Sequence, residues 1–238
     1  MSETKKYELT SETLRYKGCT LHRIKALKDF GLIKAGELGG WVEKEENLSQ
    51  YGNAWVFDNA KVYGEARVYD NARVCGDAWV YGNAEVYDNA RVYDNARVCG
   101  DAWVCGDAWV YGNAEVYDNA RVCGNARVYG NARVYDNAWV YDNAWVYGDA
   151  RVCGDAEVRG NAWVYGKTDY IVFKNFWSSG RYFTWTRSNN MWKVGCFYGT
   201  DKELIKKAYA DSEISGREYE RVVRYVEGIL ADEKKTSN

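Results

Sequence analysis

From residue 51 to residue 164 the chain repeats one phrase: two polar or turn-forming residues, an alanine, a variable residue, a valine and then, usually, a tyrosine. Nineteen six-residue units of the form [YFCR]-[GD]-[NDE]-A-x-V follow one another with no insertion or deletion. A period of six is not a multiple of 3.6, so a helix cannot keep one face apolar with it, whereas "A-x-V-Y" alternates at the period of two that a strand requires. Ala and Val therefore point one way, x and Tyr the other. The Gly/Asp and Asn/Asp/Glu pair between the extended stretches suits a tight corner, because Gly and Asn tolerate positive φ at little cost. Repeated bends of one sign wind such short sides into a coil, and coils stacked at about 4.8 Å form parallel strands hydrogen-bonded along the axis. The interior is then a column of Val and Ala, and x varies because it faces water.

The pattern V-[YC]-[GD]-[ND]-A-x resembles the hexapeptide repeat of left-handed β-helix proteins, which include bacterial acyltransferases and γ-class carbonic anhydrases. The resemblance covers about half of the chain. It implies a mainly β fold: a left-handed parallel β-helix, a triangular solenoid with three hexapeptide units per coil and so a period of 18, its crossovers an exception to the usual right-handed rule. Nineteen units then make six coils and one extra side. The segments "TLHRIKALKDFG", "GELGGWVEKEENLSQ" and "FTWTRSNNMWKVGCFYGT" are also similar to the flanks of a group of hexapeptide-repeat proteins from gut bacteria and their phages, a group with no established activity.

Three parts follow: residues 1–50 as a small N-terminal β cap, 51–166 as the hexapeptide β-helix, and 167–238 as a C-terminal α+β cap. Caps are expected because the end coils would otherwise expose strand edges that invite polymerisation. "YELTSETLRYKGCTLHRIKAL" reads as a hairpin with Lys17 and Gly18 in its turn, and Trp41, Val42 and Leu48 lead into the first coil. "RYFTWTRSNNMWKVGCFYGT" reads as a hairpin turning at Asn189 and Asn190. Two helices follow, the first opening with Thr200 and Glu203 in capping-box spacing, the second with Ser215 and Glu218. Tyr219, Val222, Val223, Val226 and Leu230 fall on one face of the second, which should pack on the hairpin.

Composition narrows the function classes. The net charge is −2, from 32 Lys plus Arg against 34 Asp plus Glu, so no global field recruits nucleic acid or an anionic membrane. No apolar run approaches the roughly 18 residues needed to span a bilayer, and "MSETKKYELT" lacks the apolar core of a signal peptide; the expected location is the cytoplasm, with no membrane partner. Of seven cysteines, five stand where the repeats otherwise have Tyr and none forms a C-x-x-C pair, which argues against a disulfide framework or a zinc site. Cys105 and Cys123, one coil period apart, stack on neighbouring coils at a separation a disulfide accepts, yet are expected to remain reduced replacements in a tyrosine ladder.

The resemblance implies catalysis through histidine: a general base in the acyltransferases, three zinc ligands in the γ-class anhydrases. The repeats contain no histidine, and His22, the single one in the chain, lies in the N-terminal flank beside Arg23. The array also lacks the inserted loop that covers the acyl donor in those enzymes. The cysteines have no base in view to activate them. The expectation is a non-enzymatic protein with no catalytic residue, metal site or cofactor, an acyltransferase-like enzyme being the alternative.

Sorting the outward positions by coil period gives three sides. The first stacks Trp55, Arg73, Arg91, Trp109, Arg127, Trp145 and Trp163 beside a second column that includes Tyr93, Tyr111, Tyr129 and Tyr147, with no acid in either column. The second is basic with one acid, Glu115, and the third is mixed. Aromatics at this density on a surface mark contact with something, and the first side is the candidate binding face. Three readings compete. One is self-association, since members of the resembled family are commonly trimers and Trp, Tyr and Arg favour interface hot spots. The second is an anionic, flat ligand, as in a phage-type sponge that sequesters a nucleotide signal; Asp58, Asp70, Asp88 and Asp94 at the corners oppose it. The third is a carbohydrate stacked on the rings.

Overall fold

The computed structural model describes residues 4–236, so the extreme ends of both flanks lie outside the described residues. These divide into two compact units, one ending at Lys167 and the other beginning at Thr168.

The first unit opens with β1 (Tyr7–Tyr16), β2 (Cys19–Ala26) and β3 (Leu38–Val42). Nineteen two-residue strands follow at six-residue intervals, from β4 (Trp55–Val56) to β22 (Trp163–Val164), each made of the x and Val positions. They sort into three parallel sheets in which every strand pairs with the third one on. Arg91 lies between Arg73 and Trp109, and Trp103 between Glu85 and Arg121. A full turn therefore takes three units, the three sides are those the sequence assigns, and the fold is a parallel β-solenoid. Every Ala and every Val of the units is at most 1% exposed, so a methyl and an isopropyl group from each unit fill the tube.

Backbone pairing runs along the axis. Arg91 N donates to Ala108 O at 2.9 Å and Tyr93 N to Val110 O at 3.0 Å, a pattern repeated coil after coil. The first corner residue has positive φ, 70° at Gly112 and 59° at Asp94, a conformation that only Gly, Asn and Asp adopt cheaply. Asp has a further use there. Its carboxylate accepts the amide of the residue stacked on it, as Asp94 Oδ2 from Gly112 N at 3.2 Å and Asp88 Oδ2 from Gly106 N at 3.0 Å. At the second corner position, side-chain amides form ladders: Asn53 donates to Asn71 at 2.9 Å, and Asn71 to Asn89 at 3.2 Å. Acids in these second-position columns never occupy successive coils. Each of Asp101, Asp149 and Asp155 instead accepts from the Asn one coil before it, Asn83, Asn131 and Asn137 respectively. Like charges about 4.8 Å apart are thereby avoided in these columns, whereas at the first corner position Asp70 and Asp88 do stack, Asp88 N donating to Asp70 Oδ2 at 3.4 Å.

The N-terminal strands cover the first coil. Lys17 and Gly18 turn β1 into β2 with φ of 47° and 86°, and β3 runs antiparallel to β2 but parallel to β5 (Lys61–Val62), with Val42 beside Val62. Leu48 bridges to Val68 on another side, so the flank adds two sides of a further coil. The step from hairpin to coil needs Gly39 and Gly40, where a Cβ would come within 2.6 Å of Ile24 and Val56. Lys6 is buried here, its ammonium donating to Ala54 O at 3.0 Å and Tyr51 O at 3.3 Å; burial, with a smaller push from Lys28, lowers its pKa to about 8.

One expectation fails in the array: Cys105 and Cys123 are joined as a disulfide, their Cα atoms 4.6 Å apart. The register that stacks the two side chains also brings their sulfurs into bonding range, a closeness already within disulfide limits.

The second unit is an antiparallel sheet of β23 (Tyr170–Lys174), β24 (Tyr182–Thr186), β25 (Met191–Val194) and β26 (Phe197–Gly199), followed by α1 (Asp201–Asp211) and α2 (Glu213–Thr236). Phe183, Trp185, Trp192 and Val194 of the sheet pack with Leu204 and Ala208 of α1 and with Tyr219, Val223 and Val226 of α2. Thr200 and Glu203 form the expected capping box of α1. The second helix starts earlier than its sequence signals suggest, because the cap is Ser212, whose hydroxyl accepts from Ser215 N at 3.0 Å. Gly216, which reads as a poor helix residue, belongs to the first turn. A Cβ there would meet the Tyr209 ring at 2.2 Å.

The corner geometry gives a prediction. Asp94→Ala removes both the acceptor for Gly112 and a residue type suited to positive φ, and should cost about 2 kcal/mol. Asp94→Gly loses only the acceptor and should cost about 1 kcal/mol or less. Urea denaturation measures both, and equal losses would show that backbone conformation is not what selects the residue.

Candidate functional site

On the first side the two-residue strands hold each x side chain directly over its counterpart in the next coil. Arg91 lies 5.0 Å from the centre of the Trp109 ring, and Arg127 sits between Trp109 at 4.8 Å and Trp145 at 5.0 Å. Trp145 and Trp163 stack at 5.8 Å. In the adjoining column Tyr93, Tyr111, Tyr129 and Tyr147 form a continuous stack with centroids 4.8, 4.9 and 5.2 Å apart, and Trp109 and Trp145 meet Tyr93 and Tyr129 edge-on. Among the described residues no carboxylate pairs with Arg91 or Arg127. Their charge is held by ring faces, each contact contributing roughly 0.5–1 kcal/mol at an exposed site.

The expected members of this face are not equally placed. Arg91 and Trp163 are exposed, while Arg73, Trp109, Arg127, Trp145 and the four tyrosines are half-buried by their own stack. Trp55 does not belong to it. It is 1% exposed, covered edge-on by Tyr7 and Phe30 of the N-terminal flank, because the first coil is the level that the flank must seal. On the other two sides the acids of the outward columns have partners within the array. Glu115 is held between Arg97 at 3.3 Å and Arg133 at 3.1 Å, and Glu85 and Glu157 accept from Tyr69 and Tyr141 at 2.8 and 3.1 Å. A second exposed cluster, undervalued by sequence reasoning, lies on the third side, where Arg121 is clasped by Trp103 at 4.3 Å and Trp139 at 4.8 Å. The coil register already aligned these three residues; what it could not show is that both indoles stay open to solvent.

His22, on β2, is half-buried, and its Nδ1 lies 3.2 Å from Thr10 O. A carbonyl oxygen can only accept, so the neutral ring carries its proton on Nδ1 and presents a lone pair on Nε2. Among the described residues no cluster of three or more His, Cys, Asp or Glu side chains is placed to hold a metal ion, and no helix is long and apolar enough to cross a membrane.

Residues 66–82, 84–100, 90–106, 120–134, 126–142 and 132–148 match a family described as the YdcK beta solenoid repeat. A stretch of 62 residues is 36% identical to the Uncharacterized acetyltransferase YdcK of Escherichia coli (strain K12), covering 23% of this chain and 19% of that protein. With the fold, these findings show a repeat β-solenoid in which part of the array is similar to the YdcK beta solenoid repeat. The similarity also corrects the expectation of a non-enzymatic protein: the lack of repeat histidines argues against catalysis and leaves an acyltransferase-like enzyme as the alternative, but similar repeats occur in a protein named as an acetyltransferase, which leans the reading toward an enzyme.

The tyrosine stacks make the fold alkali-sensitive. Burial raises the Tyr63 and Tyr93 phenols from 10 to about 12 and pushes Tyr111 and Tyr129 upward for the same reason. A phenol whose pKa is higher in the folded chain stabilises fully below pH 10, and the contribution is lost as pH rises through about 12. Phenolate absorbance of the native protein should therefore appear at higher pH than that of the chain in guanidinium, with cooperative unfolding between pH 10 and 12. Coincident titration curves would contradict the burial of the stacks.

Proposed function

We propose that the first side is an interaction face through which copies of this chain pack side by side, a trimer being the favoured assembly. The observation that supports it is the unbroken column Arg91, Trp109, Arg127 and Trp145, in which guanidinium and indole alternate with no carboxylate pairing either arginine. Such a column leaves guanidinium donors and ring edges for a partner, the ring faces being taken up within the stack, and Trp and Arg are the residues whose truncation costs most at interfaces. Mass photometry of the chain should show an oligomer, and Trp109→Ala with Trp145→Ala should raise its dissociation constant at least about hundredfold. A monomeric chain at micromolar concentration would end this reading.

A second reading, acyl transfer from an acyl thioester, has its own support in the similarity to a protein named as an acetyltransferase and in His22, whose Nδ1 faces Thr10 O. That contact fixes the tautomer with Nε2 as the proton acceptor, the arrangement a general base needs. Acetyl-coenzyme A turnover with amine and hydroxyl acceptors is the measurement. His22→Asn should lower the rate about a hundredfold or more, and an unchanged rate would remove His22 from any such role.

A further inference from the structure

The second unit carries a feature that neither reading uses. β23 is the outer strand of its sheet, paired with β24 alone. Their register aligns Tyr170 with Thr186 and Lys174 with Tyr182. Just beyond its two ends, Arg187 N donates to Asp169 O at 2.8 Å and Asn175 N to Arg181 O at 2.9 Å. Antiparallel strands alternate bonded and non-bonded pairs, so the bonded pairs between these two are Ile171 with Trp185 and Phe173 with Phe183. Val172 and Lys174 consequently direct their N–H and C=O groups away from the sheet, along an edge that no other strand among the described residues pairs with.

Beside that edge lies a cavity of about 420 Å³ between β23 and α2. Phe173, Val222 and Tyr225 form its apolar part, with Phe173 and Tyr225 in edge contact at 5.6 Å, and Trp177 and Lys174 stand at its margin. The loop that brings Trp177 there is built for the purpose. Asn175, only 4% exposed, accepts from Trp177 N at 2.9 Å and Ser178 N at 3.2 Å, and donates to Ser178 Oγ at 2.9 Å. A buried amide thus fixes a turn whose product is two aromatic side chains in water, Phe176 at 73% and Trp177 at 80% exposure. Pre-ordering a loop to expose indole is costly unless something covers it.

We infer that β23 and the groove beside α2 accept an extended peptide segment by strand addition, one bearing a large apolar residue followed by an acidic one. Strand addition uses main-chain hydrogen bonds for affinity and pockets for alternate side chains for selectivity. Val172 and Lys174 supply the main-chain groups, and the cavity takes the apolar side chain that points toward α2. The acidic residue answers Lys174, whose ammonium is held only over the Phe176 and Tyr182 rings, at 5.2 and 5.0 Å, with no carboxylate partner among the described residues. Arg221, the other cation on the groove, is already paired with Glu218 at 2.5 Å, so Lys174 sets the charge preference.

Fluorescence anisotropy with the full chain and three labelled pentapeptides tests this: one alternating valine and tryptophan with a terminal glutamate, one with lysine in place of the glutamate, and one N-methylated at its central amides. The acidic peptide is expected to bind, the lysine peptide about tenfold more weakly, and the N-methylated peptide not measurably. Val172→Pro, which removes an outward amide that the sheet does not use, should weaken binding about tenfold, with Trp177→Ala also weakening it and circular dichroism unchanged in both. The inference is overturned by failure of the acidic peptide to bind, by equal binding of the N-methylated one, or by self-association through this edge that Val172→Pro abolishes. The N-methylated peptide keeps the test decisive should the proline variant not fold.

Discussion

Stacking in register is the constraint from which the first unit follows. Every coil hydrogen bonds to the next through the carbonyl that stands one place short of a full turn beyond each outward amide, as Arg91 N to Ala108 O. A side therefore cannot change length without breaking its row of bonds, and an insertion is accommodated only by looping out at a corner. The interior inherits that rigidity. A side chain larger than Val at one level would press on the same position of the coils above and below, in a tube with no room to relax, and overpacking of a dense core costs about 1–3 kcal/mol. The absence of any insertion across nineteen units is the sequence trace of this condition.

The same register dictates the outside, where it is a hazard. Whatever stands at one position is placed about 4.8 Å from its equivalents, so a column of like charges would repel along its whole length. Three devices meet this hazard. Rings are interposed between guanidiniums, as Trp109 between Arg91 and Arg127. An acid is placed between two arginines, as Glu115. At the corners, carboxylates receive amide protons from Asn side chains or backbone. On the first side no acid stands in the column, Arg91 and Arg127 meet rings while Arg73 and Arg91 are direct neighbours, and this excess of cations is the physical ground for reading that side as a surface with a partner.

The period made the solenoid legible, because alternation fixes which residues point inward and length per turn follows once three sides are assumed. It also made the columns legible, including Arg127 between two tryptophans. What it hid were places where a non-repeating element meets the array or where a local contact overrides a propensity. Trp55 carries the same signature as Trp109, and only the packing of Tyr7 and Phe30 against it removes it from the surface. Ser215 has better capping-box spacing than Ser212, but it is the Ser212 hydroxyl that takes Ser215 N and starts α2, which leaves Gly216 in the first turn against the Tyr209 ring. The Cys105 and Cys123 separation was correct, while the bond between them depended on the orientation of two side chains that spacing does not specify. Lys6 gave no sequence signal, being one lysine of a polar terminus until its burial is seen.

An array of near-identical coils can make a surface but is poorly suited to making a single site, since each coil offers what the next one offers. Singular chemistry must come from where the repetition is interrupted. In the first unit that is the flank, and it is there that His22 has a fixed tautomer and Lys6 a depressed pKa caused first by burial. In the second unit it is the turn held by Asn175. A division of this kind, a repeated surface in the coils and single sites in the exceptions, fits variable coil positions that hold Trp, Arg and Glu in turn, whereas the irregular segments commit buried polar side chains such as Asn175 to hold particular groups in place. Lengthening the array would multiply the first property and leave the second unchanged, because no residue of those irregular sites is supplied by the middle coils.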